Sequence, residues 1–408
     1  MKKKYFIYLA VMVCILILAS FIGRSVIFSM DTDIPKLYFE GDIEEMLDKK
    51  DVRSIEVEYY DNGLVFSGYA ELKIQGTSSL NYEKKNYTIT FFQDESHTEK
   101  LPIDVGWGAQ SKYCLKANWI DKTHARNVVT ARLVSQMQDT CGLLTQAPKN
   151  GAVDGFPIEV YENGNFLGIY TWNIPKDAWQ FGMDSNNPDH IVICGEGWAD
   201  TNFFTAMPDF ENWAVEVGEE SEATQAKMDR LFDFIINSTD EEFRAEFENY
   251  MDLDAALNYY IMTDFAYLRD NKGKNMLLAT YDGMVWYMSL YDLDSSWGTN
   301  FDGKSLMAYQ TESSRMDMSN LFARLENTFR NELGERYFEL RATVLDEEHI
   351  MEEFNTFAET IPQLSFVKEQ LRWGLNIPGY DYTQIESYLK TVVDDLDAKY
   401  ASWIVETP

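Results

Sequence analysis

Two periodicities divide the chain. From about Lys36 to Phe92 apolar and polar residues alternate with a period of two. Ser54–Tyr60, Leu64–Ile74 and Tyr87–Phe92 each place every second side chain on one face, which predicts half-buried strands. Tyr113–Trp119 is a further strand-like run. Pro157–Tyr161 and Phe166–Trp172 flank Glu162-Asn163-Gly164-Asn165; Asn-Gly between alternating runs predicts a hairpin, because both residues tolerate positive φ. Pro175 ends any strand after it. An isolated helix is expected at about His124–Met137, with Val128, Val129, Ala131, Leu133, Val134 and Met137 as its apolar stripe and Asp121-Lys122-Thr123 placed to cap it.

From Ser221 onward the period becomes helical. Ala223–Asn237, Asp240–Tyr250 and Leu253–Arg269 predict amphipathic helices, the last capped by Asp252 or Asp254. Met318–Leu333, Glu335–Leu345, Ile350–Ser365 and Gln384–Ile404 predict four more. Between the regimes, about Pro188–Val217 is rich in Trp and Phe but has no clear period; it is expected to be a substrate-side insertion or lid, against the plainer alternative of a packed loop. No internal repeat or low-complexity segment interrupts the pattern. The fold class is therefore α+β, with a β-rich N-terminal half (about 31–180), a helix-rich C-terminal half (about 181–408) and a cleft between them as the expected place for a ligand.

Composition narrows the class. The chain has 408 residues, and 45% of them are hydrophobic, which suits a large packed core rather than disorder. The formal net charge of −32 argues against a non-specific nucleic-acid binder, which needs a basic face. Lys2-Lys3-Lys4 precede an apolar run from Tyr5 to Ile22, closed by Arg24. That run is about bilayer length, and the lysines favour a cytoplasmic N-terminus. Residues 1–30 are accordingly expected to be a basic tail, a transmembrane signal anchor and a tether, with the domain at 31–408 outside the cell membrane. Secretion after signal cleavage is the competing expectation. Cys114, Cys141 and Cys194 do not form a disulfide framework and are expected to be buried free thiols. With no CxxC, no HExxH and only four histidines, a zinc site is not expected.

The richest candidate chemistry lies between Asp264 and Gly298. A helix is expected to run down to Arg269-Asp270, and a polar loop leads to Asn275. A hairpin of Met276–Thr280 and Val285–Tyr291 follows, ending in Asp292-Leu293-Asp294. An acid and an amide before a hairpin and two acids after it can converge at one end of that hairpin. Carboxylate and amide oxygens on rigid elements suit hard divalent cations and phosphate. Upstream, Gln75-Gly76-Thr77-Ser78-Ser79 is a small polar turn between strands, followed by Lys84-Lys85. Such a turn can lay backbone N–H groups against phosphate, although a plain hairpin turn has the same composition. Arg126 and Asn127 fall in the first turn of a helix, where an arginine opposes the helix dipole and calls for a carboxylate partner.

Five blocks occur in one order: Gln75-Gly76-Thr77-Ser78, Lys84-Lys85-Asn86-Tyr87, Ala117-Asn118-Trp119-Ile120-Asp121-Lys122-Thr123 with Arg126-Asn127, the hairpin Val160–Tyr170, and Tyr291-Asp292-Leu293-Asp294 with Trp297-Gly298. Together they resemble the CotH family, the spore-coat protein H-like atypical protein kinases. The resemblance implies an atypical protein-kinase-like fold that uses ATP with Mg²⁺ or Mn²⁺ to phosphorylate Ser and Thr of secreted, surface or spore-coat proteins. It implies a nucleotide site at Gly76, Thr77, Ser78, Lys85 or Lys84, and Asn118. It further implies a catalytic Asp270, metal ligands at Asn275, Asp292 and Asp294, and support from Arg126 and Asn127. One departure stands out: Asn173 occupies the place where the family often has a glutamate able to pair the nucleotide lysine, so Glu159 or Asp177 would have to substitute. The alternative that follows is a weak or inactive structural member of the cell envelope or spore coat.

Overall fold

The structure, a computed structural model, describes residues 22–405 apart from 44, 45, 47, 77, 306–315 and 375–380. The β-rich half closes into a barrel. Its strands are β1 (Lys36–Glu40), β2 (Val52–Tyr60), β3 (Leu64–Gln75), β4 (Asn86–Phe92), β7 (Lys112–Lys116), β8 (Gly155–Glu162) and β9 (Asn165–Asn173). They run around the barrel in the order β1-β2-β3-β4-β7-β9-β8, and β1 closes it by pairing parallel with β8. A small hairpin of β5 (Ile103–Asp104) and β6 (Ala109–Gln110) hangs between β4 and β7. Closure leaves no open edge and turns every second side chain inward. The alternation in β2 and β3 follows directly: Ile55, Val57 and Tyr59, then Ala70, Leu72 and Ile74, are buried, and their neighbours face out. Phe91, Tyr113 and Trp172 pack ring on ring in the interior.

Helix α1 (Arg126–Met137) lies between β7 and β8 along the chain. Asp121 supplies its start: its carboxylate accepts the Arg126 N–H at 2.8 Å and the Thr123 hydroxyl at 2.7 Å. The C-terminal half carries α2 (Glu222–Asn237), α3 (Asp240–Glu246), α4 (Leu253–Phe265), α5 (Asn320–Thr328), α6 (Arg330–Arg341), α7 (Glu347–Glu359), α8 (Gln363–Trp373) and α9 (Thr383–Ala401). Asp252 caps α4, accepting the Ala255 N–H at 2.8 Å.

The boundaries depart from the sequence reading where local signals were weak. Helix α4 ends at Phe265 rather than Arg269, so Asp270 sits on a loop. The expected helices at 318–333 and 335–345 are instead divided at Phe329, and α8 lies largely beyond the expected 350–365 helix. Pro188–Val217 is not a plain loop. It supplies β10 (Ile191–Gly195) and β11 (Trp213–Val217), which join β12 (Met276–Thr280) and β13 (Trp286–Leu290) in a four-stranded sheet ordered β11-β10-β12-β13. Ile191–Gly195 is buried throughout, so it shows no alternation.

Cys114, Cys141 and Cys194 are buried free thiols. Among the described residues no helix is long and apolar enough to cross a membrane; the expected anchor, apart from Ile22, lies outside them.

Candidate active site

The register of the central hairpin brings the candidate residues together. Met276 pairs with Leu290, so Asn275, just before β12, and Asp292, two residues after β13, emerge at the same end. Asn271 ties the preceding loop to that end. Its side-chain N–H groups donate to the Tyr291 carbonyl at 2.9 Å and the Asn275 carbonyl at 3.4 Å, and its own carbonyl accepts from the Tyr259 hydroxyl at 2.6 Å. Asn275 and Asp292 both adopt positive φ, as does Asn118 across the cleft. Asn and Asp tolerate this conformation better than other side chains, and each residue sits where a strand must turn out of its ladder.

These residues line a cleft of about 360 Å³ between the barrel and the C-terminal half. Gln75, Gly76, Lys116, Asn118 and Asn127 face it from one side; Asp270, Asn275, Asp292 and Asp294 face it from the other. Gly76 has φ +101°, and a Cβ there would stand 1.9 Å from the Ser79 hydroxyl oxygen, so only glycine fits this turn. Thr77 lies outside the described residues, and of Ser78 only its place in a short 3₁₀ turn, Ser78–Asn81, is described. Tyr291 links the two sides: its hydroxyl accepts from Gln75 at 2.9 Å, and its ring lies between the amines of Lys116 (4.8 Å) and Lys176 (5.0 Å).

The two lysines singled out in the sequence do not reach this cleft. Lys84 is 1% exposed and forms a 2.6 Å ion pair with Glu369 of α8; its amine also donates to the Ala117 and Ile169 carbonyls. Lys85 turns back on its own loop and donates to the carbonyls of Leu80, at 2.8 Å, and Tyr82. The lysine that faces the acids is Lys116, at the end of β7, 3.4 Å from the Asp292 carboxylate. Burial alone would lower its pKa, but the Tyr291 hydroxyl and Asp292 hold it above the usual lysine value. The strand-like run Tyr113–Trp119 marked the strand but not that Lys116 on it would find an acid.

The predicted acids stand in one electrostatic field. Burial, with Asp292, Asp121 and Asp270 nearby, pushes the Asp294 carboxyl up to about 8 against the pull of Lys116. Burial and Asp292 also raise Asp270, opposed by Lys274 and Arg269. Burial is the larger cause of both shifts, and the neighbouring carboxylates add to it. Asn127 is a brace: its side-chain oxygen accepts the Leu293 N–H at 2.9 Å and holds the loop between the two aspartates. Arg126 is a brace as well. It pairs at 2.6 Å with Asp121, the carboxylate partner its helix position demanded, and donates to the Ser296 carbonyl and to the side-chain amide oxygen of Gln384 of α9. Asn118 donates to the Thr171 hydroxyl at 3.0 Å.

No glutamate substitutes for Asn173 at Lys84 or Lys85 from the expected places. Glu159 pairs with Lys368, and Asp177 with Lys112. A second acid–lysine group lies at the cleft edge: Lys176 is 2.6 Å from Glu216 and 3.5 Å from Glu196. Cys194, Glu196 and Glu216 are near enough together to hold a metal, but the Lys176 ammonium already pairs with both carboxylates.

The cleft thus gathers a glycine turn, a buried lysine and a set of hard oxygen donors. The profile of the CotH kinase protein family matches residues 72–395, most of the chain, and the chain belongs to that family. No curated protein matches it.

Proposed function

We propose that this protein is an ATP-dependent protein kinase that phosphorylates Ser and Thr of secreted or surface proteins, on a protein-kinase-like arrangement of barrel and helical halves. One observation carries the reading. Asp270 and Asn275 are five residues apart on one loop, and they share a cleft with Asp292, Lys116 and the Gly76 turn. Protein kinases use an Asp–Asn pair at this spacing, a metal-binding Asp after a following hairpin, a strand lysine and a glycine loop.

The donor set fits a divalent cation. Asn275, Asp292 and Asp294 offer amide and carboxylate oxygens, the ligands Mg²⁺ and Mn²⁺ prefer, and they line one cleft. A cation held there would neutralise phosphate charge. Lys116 would orient nucleotide phosphates from the barrel side, and the Gly76 turn would lie over them without a side chain in the way. Asp270 would accept the proton of the acceptor hydroxyl as its oxygen bonds to the γ-phosphorus and the bond from that phosphorus to the bridging oxygen breaks, releasing ADP. In this assignment Lys116 takes the role that the resemblance gave to Lys84 or Lys85. The apolar run at 5–22 supports a membrane anchor that places the domain outside the cell.

The test is transfer of radiolabelled phosphate from ATP to a Ser-rich acceptor. Wild type is expected to label the acceptor only with Mg²⁺ or Mn²⁺, and Asp292→Ala to lose labelling. Equal labelling by both proteins would refute the proposal.

A further inference from the structure

Asp270 borders a second hollow. This groove, about 350 Å³, includes Trp198, Arg269, Lys274 and Phe301. Trp198 and Arg269 line this groove but not the first cleft, whereas Asp270, Lys274, Ser295 and Phe301 border both. We propose that the second groove receives the acceptor polypeptide, and that it selects an extended segment with an acidic residue and a bulky apolar residue close to the hydroxyl. The proposal rests on the kinase reading and names the substrate class for the same site.

Three observations support it. First, an acceptor hydroxyl must meet Asp270 without displacing the nucleotide, and this groove borders Asp270 with residues the first cleft lacks, Trp198, Arg269, Thr299 and Asn300. Second, Trp198 is 51% exposed and Phe301 is 64% exposed. Two large apolar faces beside a reactive acid are costly to leave in water, and they offer an apolar side chain a place to bind. Third, the groove is locally basic on an acidic molecule. Arg269 and Lys274 are its cations, and neither forms a salt bridge among the described residues. Asp270 is the one carboxylate in its lining, and that group is engaged in the reaction. The net charge of −32 repels an acidic segment at long range, although salt screens this beyond roughly 10 Å. At contact distance the two cations would favour an acid and oppose a basic residue.

The experiment compares three Ser peptides at saturating Mg²⁺–ATP: one flanked by Asp and Phe, one by Lys and Phe, and one by Asp and Ala. The first is expected to have the lowest KM. Trp198→Ala should raise the KM for that peptide by about tenfold and leave nucleotide affinity, measured by calorimetry, unchanged. Arg269→Gln should erase the preference for Asp over Lys. Equal or better use of the Lys peptide by wild type, or an unchanged peptide KM in Trp198→Ala, would overturn the proposal. Metal-dependent nucleotide binding with no transfer to any of the three peptides would also count against this groove, whereas loss of nucleotide binding itself would overturn the parent reading.

Discussion

At the scale of single residues, the decisive distinction is between lysines that face the cleft and lysines that hold the barrel. Lys84 and Lys85 end on carbonyls or on Glu369, whereas Lys116 ends on Asp292. Lys116→Ala is therefore expected to weaken nucleotide binding at least tenfold by calorimetry, as for a lost charge-assisted contact of about 1.5–3 kcal/mol. Lys85→Ala should leave binding within twofold, and the reverse ranking would return the role to Lys85. Asp294 makes a second prediction. Its folded-state carboxyl sits at about 8, above the roughly 3.9 of an unfolded aspartate. The native state therefore holds the proton more tightly, and this contribution to stability is lost as pH rises from about 4 through 8. Without metal, Asp294→Asn should gain thermal stability relative to wild type at pH 8 and little at pH 4; an equal gain at both would sever the link to that carboxyl. The acids and the amide were legible in the sequence because Asp270, Asn275, Asp292 and Asp294 flank one hairpin. The working lysine was not, because β7 carries lysines at both ends, Lys112 and Lys116, and only packing decides which acid each one meets.

At the scale of elements, α8 has an importance its sequence did not announce. Lys368 and Glu369 are adjacent on it, both fully buried, and they reach opposite charges on the barrel side: Glu159 at 3.4 Å and Lys84 at 2.6 Å. The Glu369 carboxylate also accepts the Ile169 N–H of β9 at 2.8 Å. Trp373, at the end of α8, donates to the Leu167 carbonyl and packs edge-on against Trp119, which stacks on Tyr82; Tyr82 and Trp119 both line the cleft. Glu369→Ala would leave the Lys84 amine buried beside bare carbonyls, and it should cost about 3–5 kcal/mol in urea unfolding. Lys84→Met with Glu369→Leu should recover most of that loss; if it does not, the pair is more than a charge match. Local pattern finds elements whose faces differ in polarity. It passed over β10, which is buried on both faces, and it ran the 350–365 helix too far because the break before Gln363 lies at Ile361-Pro362 within a continuing apolar rhythm.

At the scale of the molecule, the two halves are joined by ties that neither could satisfy alone. Lys84 of the barrel side needs Glu369 of α8, Arg126 after the barrel strand β7 needs Gln384 of α9, and Gln75 of β3 bonds the Tyr291 hydroxyl. Opening the cleft would strand buried charges at the first of these, so the halves should unfold together rather than in sequence. The chain from Asp31 onward is expected to show one thermal transition, with near-ultraviolet dichroism of the aromatic barrel core and far-ultraviolet dichroism of the helices changing at the same temperature. Mg²⁺–ATP at a hundred times its dissociation constant should stabilise the folded state by about 2.7 kcal/mol and move both signals equally, because a ligand in the cleft holds both walls. Two separated transitions, or a shift confined to one signal, would show that the buried pairs do not couple the halves and that the cleft is not built as one unit.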